Sequence, residues 1–269
     1  MHRFTLVYFS AAAFSCAAVA GEVPHAGDIN PSVLPIGAPE DGMMKIQTNG
    51  IDNQGEIVAN LRIFAADFGD SGFPQFTANP GFDALPSTFT PGTRVGFHAP
   101  EGFLVFSGEA LAPVSTERLN VKFLTLQVNI GAAPSAGFDL AVQANGGWHR
   151  HLSYTISDTT LPLPVPGIYV LPMTLYSTDP SVLESDLFWM VFDYQMGQEA
   201  QDDAMTWIAS HLLAPVCPGD LDADSIVGPS DLATLLGAWG SRGAADLDSD
   251  GAVGPADLAI ILGSWGSCD

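Results

Sequence analysis

Between residues 22 and 214 the apolar positions come in short runs broken by Gly, Pro, Asn and Asp. Strand character is concentrated at 57–64, 94–98, 103–107, 120–130, 137–144, 151–156, 167–176 and 187–195, where β-branched and aromatic residues sit between turn formers. Leu124, Leu126, Val128 and Ile130 alternate with Thr125, Gln127 and Asn129, the two-residue period of a half-buried strand. This many short strands predict a mainly β domain, an antiparallel β-sandwich or jelly roll. The period changes over Glu199–Leu213, where Met205, Ile208, Ala209 and Leu212 form a helical stripe. One amphipathic helix is expected to close this domain, with Ala214-Pro215-Val216 as the junction to a C-terminal unit.

Beyond the junction a helical period occurs twice. Leu232, Leu235, Leu236 and Trp239 obey i, i+3, i+4, i+7, and Leu258, Ile261, Leu262 and Trp265 repeat it,. Pro229 and Pro255 stand at the start of each helix, where a missing N–H costs little, and Gly240 and Gly266 stand where C-caps are expected,. Packing Leu235 and Leu236 against Ile261 and Leu262 would build a small core, with the two helices related by a pseudo-two-fold axis.

Each helix is preceded by regularly spaced acids. Asp246, Asp248, Asp250 and Asp257 occupy positions 1, 3, 5 and 12 of a twelve-residue segment with Gly251 at position 6. Asp220, Asp222, Asp224 and Asp231 repeat the spacing, with Ser225 at position 6. This is the ligand spacing of an EF-hand-like calcium loop. A hard cation takes six to eight oxygens, and a short loop supplies them only by curling around the ion. The backbone carbonyls of Ile226 and Ala252, at position 7, add an oxygen each. Two loops in register predict two bound Ca²⁺ ions, the second held more tightly because Gly251 tolerates the turn.

No EF-hand-type helix precedes either loop: Cys217-Pro218-Gly219 and Arg242-Gly243-Ala244-Ala245 stand there instead. Duplicated loop-then-helix units over residues 217–268 resemble a type I dockerin, and their compact GAWG and GSWG ends resemble C-terminal modules common in planctomycete secreted proteins. The resemblance implies a small all-α module at 215–269 that docks onto a cohesin-like or cell-envelope protein. Its contacts would come from loop positions 10 and 11, here Pro229, Ser230, Pro255 and Ala256.

The N-terminus reads as a secretory signal over 1–20. His2 and Arg3 precede an apolar run from Phe4 to Val19, and Ala18-Val19-Ala20 is an A-x-A site,. A lipoprotein cut at Cys16 is the alternative, though Ala13-Phe14-Ser15 makes a poor lipobox. The expected location is therefore extracellular or at the cell surface, with the β domain spanning 21–214. Loss of the leader leaves Cys217 and Cys268, which flank the repeats. In an oxidising compartment such a pair reads as a disulfide, and closing a loop of about 50 residues contributes roughly 2–4 kcal/mol. The chain carries 30 acidic and 8 basic residues, a net charge of −22. That balance argues against nucleic acid and against anionic membrane surfaces as partners. No segment beyond the leader is long and apolar enough to span a membrane.

Other chemistry in the β domain is sparse. "GWHRHLSYTI" places His149 and His151 on one face of a strand, opposite Leu152, Tyr154 and Ile156,. With "HAGDI" at 25–29 and "PGIYVLPMTLYS" at 166–177, this resembles bacterial surface-anchored β modules. His25, His149 and His151 together suit Zn²⁺ or Cu²⁺; the alternative is histidines that only pack or face solvent. The sequence lacks G-x-S-x-G, H-E-x-x-H and a P-loop,. Acid pairs such as Glu184 with Asp186, and Asp202 with Asp203, are expected by chance in so acidic a chain. Trp148, Trp189 and Trp207 are candidates for stacking on a polysaccharide, with a core position the favoured reading for Trp189, within "LFWMVFDY". The expected function is a non-catalytic secreted binding protein with an attachment module. The alternative is a polysaccharide-degrading enzyme, a glycoside hydrolase, delivered by the same module.

Overall fold

A computed structural model describes residues 27–36, 43–52, 54–213, 219–222, 226–241, 243–248 and 251–267. The leader at 1–20, His25, the junction at 214–216, Cys217, Asp224, Ser225, Asp250 and Cys268 lie outside them.

The fold is mainly β; among the described residues the β domain has three sheets, packed around a main apolar core. Its centre is the strand Gly167–Ser177, which pairs antiparallel with Phe188–Tyr194, with Leu104–Phe106 and with Arg94–His98. Phe188–Tyr194 also pairs in parallel with Ile63–Asp67. "FWMVFDY" is a nearly continuous apolar run because the strand is buried on both faces,. Phe188, Met190, Phe192 and Tyr194 enter the main core, while Trp189 and Val191 face the other way with Leu104, Ile168 and Val170. That outer face is closed by helix α1, Gln198–His211, through Ala204 and Ile208.

Helix α1 stands where the apolar stripe predicts one, but its buried residues are Gln201, Ala204 and Ile208, while Ala209 and Leu212 are exposed. Gln201 Nε2 donates to the carbonyls of Ala66 at 3.0 Å and Val191 at 2.9 Å. A buried polar side chain is tolerable when its hydrogen bonds are made, and an apolar pattern cannot reveal such a residue.

A second sheet joins Ile29–Pro35, Met44–Ile51, Phe82–Ala84 and Trp148–Arg150, with short edges at Ile57–Val58 and Val182–Leu183. The third joins Phe76–Thr77, Glu117–Phe123, Leu126–Ile130 and Ser153–Asp158. The sandwich is not wholly antiparallel: Ile29 pairs in parallel with Phe82, and Val182–Leu183 with Met44–Lys45. The strand expected over 120–130 is a hairpin that turns at Leu124, where φ is 53°. Leu124 and Leu126 are 77% and 41% exposed, whereas Ile130 is buried and Val128 packs against the core beside Leu119 and Val121 of the preceding strand. Ile29–Pro35 and Met44–Ile51 have no counterpart in the apolar pattern, because Asn30, Thr48 and Asn49 are buried polar residues that break the alternation.

The C-terminal repeats form helices α2, Pro229–Gly237, and α3, Pro255–Gly263. The expected all-α character does not hold for the described residues, because Ile226–Val227 and Gly266–Ser267 form a short antiparallel pair. The helices end at Gly237 and Gly263, short of Trp239 and Trp265. The chain then turns to make β-type bonds: Gly240 N–H donates to the Val253 carbonyl and Val253 N–H to the Ser241 carbonyl, both at 2.8 Å. Each loop therefore lies beside the segment that comes after the other repeat's helix. The core is Val227, Leu235, Ala245, Val253 and Ile261. Leu236 and Leu262, expected inside, are 52% and 57% exposed, and Trp239 and Trp265 are also exposed.

Phe192 is fully buried, stacks on Phe68 at 5.1 Å and meets Tyr154 at 5.4 Å. Phe192→Ala is expected to cost about 3–5 kcal/mol in urea unfolding. Leu124→Ala should cost less than about 0.5 kcal/mol.

Candidate metal centre

In each C-terminal repeat three carboxylates converge. Asp220, Asp222 and Asp231, and likewise Asp246, Asp248 and Asp257, offer oxygens that all lie within 4.8 Å of one another. Position 12 is held from the helix. Asp231 and Asp257 are each the third residue of their helix and are almost fully buried. Asp231 Oδ1 accepts from Leu221 N at 2.7 Å and Asp222 N at 3.2 Å, and Oδ2 from Gly228 N at 2.7 Å. Asp257 repeats this with Leu247 at 2.6 Å, Asp248 at 3.1 Å and Gly254 at 2.6 Å. Each carboxylate thus ties the start of its loop to the start of its helix, the Asp half of a capping box.

These bonds set the charge state. Burial pushes the Asp231 carboxyl up, and the N–H groups of Gly228, Leu221 and Asp222 together more than reverse it, so it lies below the ordinary 3.8. For Asp257 the Gly254 N–H is the largest influence, with Asp248 and Leu247 adding to it against burial, and the carboxyl is again held below 3.8. Both are ionised at neutral pH.

The second loop shows a further sign of an ion site. Asp246 Oδ2 accepts from Gly251 N at 3.0 Å, but its Oδ1 is buried with no hydrogen-bond partner among the described residues. A buried carboxylate oxygen without a donor is costly, and a cation would answer it. Gly251 has φ 98°, the left-handed region that position 6 requires,. The donors are all oxygen, the chemistry of hard cations such as Ca²⁺. Asp248 is exposed, as are Pro229, Ser230, Pro255 and Ala256 at the helix starts.

The histidines of the β domain meet two carboxylates: Asp28, in the "HAGDI" stretch, and Asp83, which no motif in the sequence singles out. His149 Nδ1 lies 3.2 Å from Asp83 Oδ1, and His151 Nε2 lies 3.5 Å from Asp28 Oδ2. The two rings are 5.2 Å apart. Asp83 is buried within a strand and Asp28 is buried just before one, and an isolated Asp within the apolar "GFDAL" is the available signal for Asp83.

Other candidates separate. Trp148 and Trp189 are both 2% exposed, so Trp148 is a core residue rather than a sugar platform. Trp207 is half-buried, with one face stacked on His211 at 4.5 Å. Glu184 faces His98 at 2.8 Å, whereas Asp186 pairs with Lys45 at 2.7 Å, so this acid pair does not face a common cleft. Among the described residues no helix is long and apolar enough to cross a membrane.

Neither the family models nor the curated proteins include a match to this chain.

The position-12 carboxylates yield a prediction with a definite sign. Their folded pKa values are depressed, so their stabilisation is present above pH 3.8 and is lost as the pH falls below 3.8 through the folded values,. With calcium chelated, thermal melting of the C-terminal unit followed by tryptophan fluorescence should show this acid loss. Asp257→Asn, which cannot accept at both oxygens, should lower the melting temperature at pH 7 even in chelator.

Proposed function

We propose that this chain is an exported, non-catalytic β-sandwich protein whose C-terminal repeats form a calcium-stabilised, dockerin-like attachment module. The observation that carries the reading is the duplicated carboxylate triad, with the same backbone bonds in both repeats and a buried Asp246 oxygen that lacks a hydrogen-bond donor in the second. Asp220, Asp222, Asp224, Asp231 and the Ile226 carbonyl would hold one Ca²⁺. Asp246, Asp248, Asp250, Asp257 and the Ala252 carbonyl would hold the other. The ions supply positive charge to an acidic loop and fix its curvature before the helix starts. The module's core is small, so ion binding is a large share of its stability: about 2.7 kcal/mol per site at a calcium concentration 100 times the dissociation constant.

Attachment is supported by the outward face. Pro229, Ser230, Leu236 and Trp239 of one repeat are matched by Pro255, Ala256, Leu262 and Trp265 of the other, and all are exposed. A cohesin-like or envelope protein is the partner this apolar, twofold-repeated surface suits. The leader-like N-terminus supports a location outside the cytoplasm, where millimolar calcium keeps such loops filled.

Calorimetric titration of the full chain with Ca²⁺ should count two ions. Asp246→Asn should leave one, with metal-free melting unchanged, because the amide keeps an oxygen for Gly251 N–H. Absence of both calcium heat and a calcium-dependent melting shift would reject the reading. Against a captured envelope partner, Ser230→Asp with Ala256→Asp should abolish docking, while either change alone leaves one repeat competent.

A further inference from the structure

The β domain holds a second set of metal-type side chains, chemically distinct from the oxygen-only loops. Strand register creates it. His149 lies directly across from Asp83, and Ile29 pairs with Phe82, which brings Asp28 beside Gly81. His151 continues the same face and lies over Gly81, where a Cβ would come within 2.5 Å of its ring. Only glycine leaves room for the imidazole at that point. One sheet face therefore carries Asp28 and His151 in one row and Asp83 and His149 in the next.

The hydrogen bonds orient these groups. Asp28 Oδ1 accepts from Gly81 N at 2.7 Å, which turns Oδ2 toward His151. His151 Nδ1 lies 3.1 Å from the Ala78 carbonyl. A carbonyl only accepts, so Nδ1 carries the proton and Nε2 is the nitrogen that faces the buried carboxylate. The Asp28 carboxylate calls for positive charge at Nε2, which a second proton or a metal ion supplies. Metal-binding histidines commonly donate their other ring N–H to a backbone carbonyl in this way.

The spacings agree. Two ligands on a tetrahedral ion at 2.0–2.1 Å are about 3.3 Å apart, and two imidazoles sharing such an ion have ring centres about 5 Å apart. The observed separations are 3.2 and 3.5 Å for the nitrogen–oxygen pairs and 5.2 Å for the rings. Beneath them Tyr154 is fully buried, its hydroxyl has no hydrogen-bond partner among the described residues, and it lies within the field of the Asp28 charge. On the other side a cavity of about 350 Å³ is bordered by Asp28, Asp67, Asp70 and His151, with neither Lys nor Arg among its lining residues. Such a vestibule attracts cations.

We propose that Asp28, Asp83, His149 and His151 bind one divalent transition ion of the zinc type. Mixed imidazole and carboxylate donors favour such an ion over Ca²⁺. The donors stand as two pairs, and binding requires side-chain movement that brings both pairs onto one ion.

The test uses the full chain saturated with Ca²⁺, so that the acidic loops do not compete, titrated with Co²⁺ and then Zn²⁺. One Co²⁺ per chain should give the intense visible bands of a four-coordinate ion, bleached by an equivalent of Zn²⁺. His149→Ala and His151→Ala should each weaken uptake by about 100-fold, with calcium stoichiometry unchanged. The wild-type spectrum needs no variant to fold. Absence of visible bands in the wild type would overturn the proposal and leave two imidazolium–carboxylate pairs. Bands that survive both histidine changes would overturn it equally, since the ion would then sit elsewhere.

Discussion

A buried carboxylate has to be answered locally, and that requirement organises both ends of this molecule. The chain has 30 acids against 8 bases, so lysine and arginine cannot supply most of the partners. Asp231 and Asp257 are answered by three backbone N–H groups each, at the junction of loop and helix. One oxygen of Asp28 is answered by the Gly81 N–H while the other faces His151, and Asp83 faces His149. Where the compensation is incomplete, as at Asp246 Oδ1, a cation is the natural complement,. In an acidic chain the interior carboxylates thus mark both proposed ion sites.

The scaffold gives those sites their geometry. The Phe188–Tyr194 strand is covered on one face by the main core and on the other by α1, which makes the centre of the domain rigid. The sheet bearing Asp28, Asp83 and His149 contributes Ile29, Phe82 and Trp148 to that same core from its opposite face. Alternation along the strands does the rest, since residues that bury apolar side chains inward present their polar neighbours together on the other face. The C-terminal repeats use a different device. Each loop strand pairs with the segment after the other helix, so the two acidic loops are formed together.

Local patterning is sufficient for several elements. The strands at 94–98 and 167–176 and helix α1 lie within a few residues of their expected places. The strand at 167–177 is the most legible, because its apolar run is long and nearly unbroken. The hairpin at Leu124 reads as one strand in the sequence, because an exposed leucine at a turn has the same letter as a buried one. Ile29–Pro35 and Met44–Ile51 are not legible because their buried Asn and Thr side chains are satisfied by hydrogen bonds to distant residues, such as Thr48 to the Leu61 carbonyl. The helices α2 and α3 stop at Gly237 and Gly263 for a related reason: strand-type bonds beyond them compete with another helical turn.

Features that depend on neighbours in the chain were settled by sequence alone. The acidic spacing with glycine at position 6, the helix starts and the repeat all lie within short windows, where backbone geometry links spacing directly to shape. Long-range packing settled the remainder: which leucines of each stripe face inward, that Gln201 is a core residue, and that Asp28 and Asp83 stand opposite the histidines. Asp28 is more than 120 residues from His151, and strand register joins them. Register is set by the sum of many side-chain fits across two or three sheets, and no short window of the chain contains that sum.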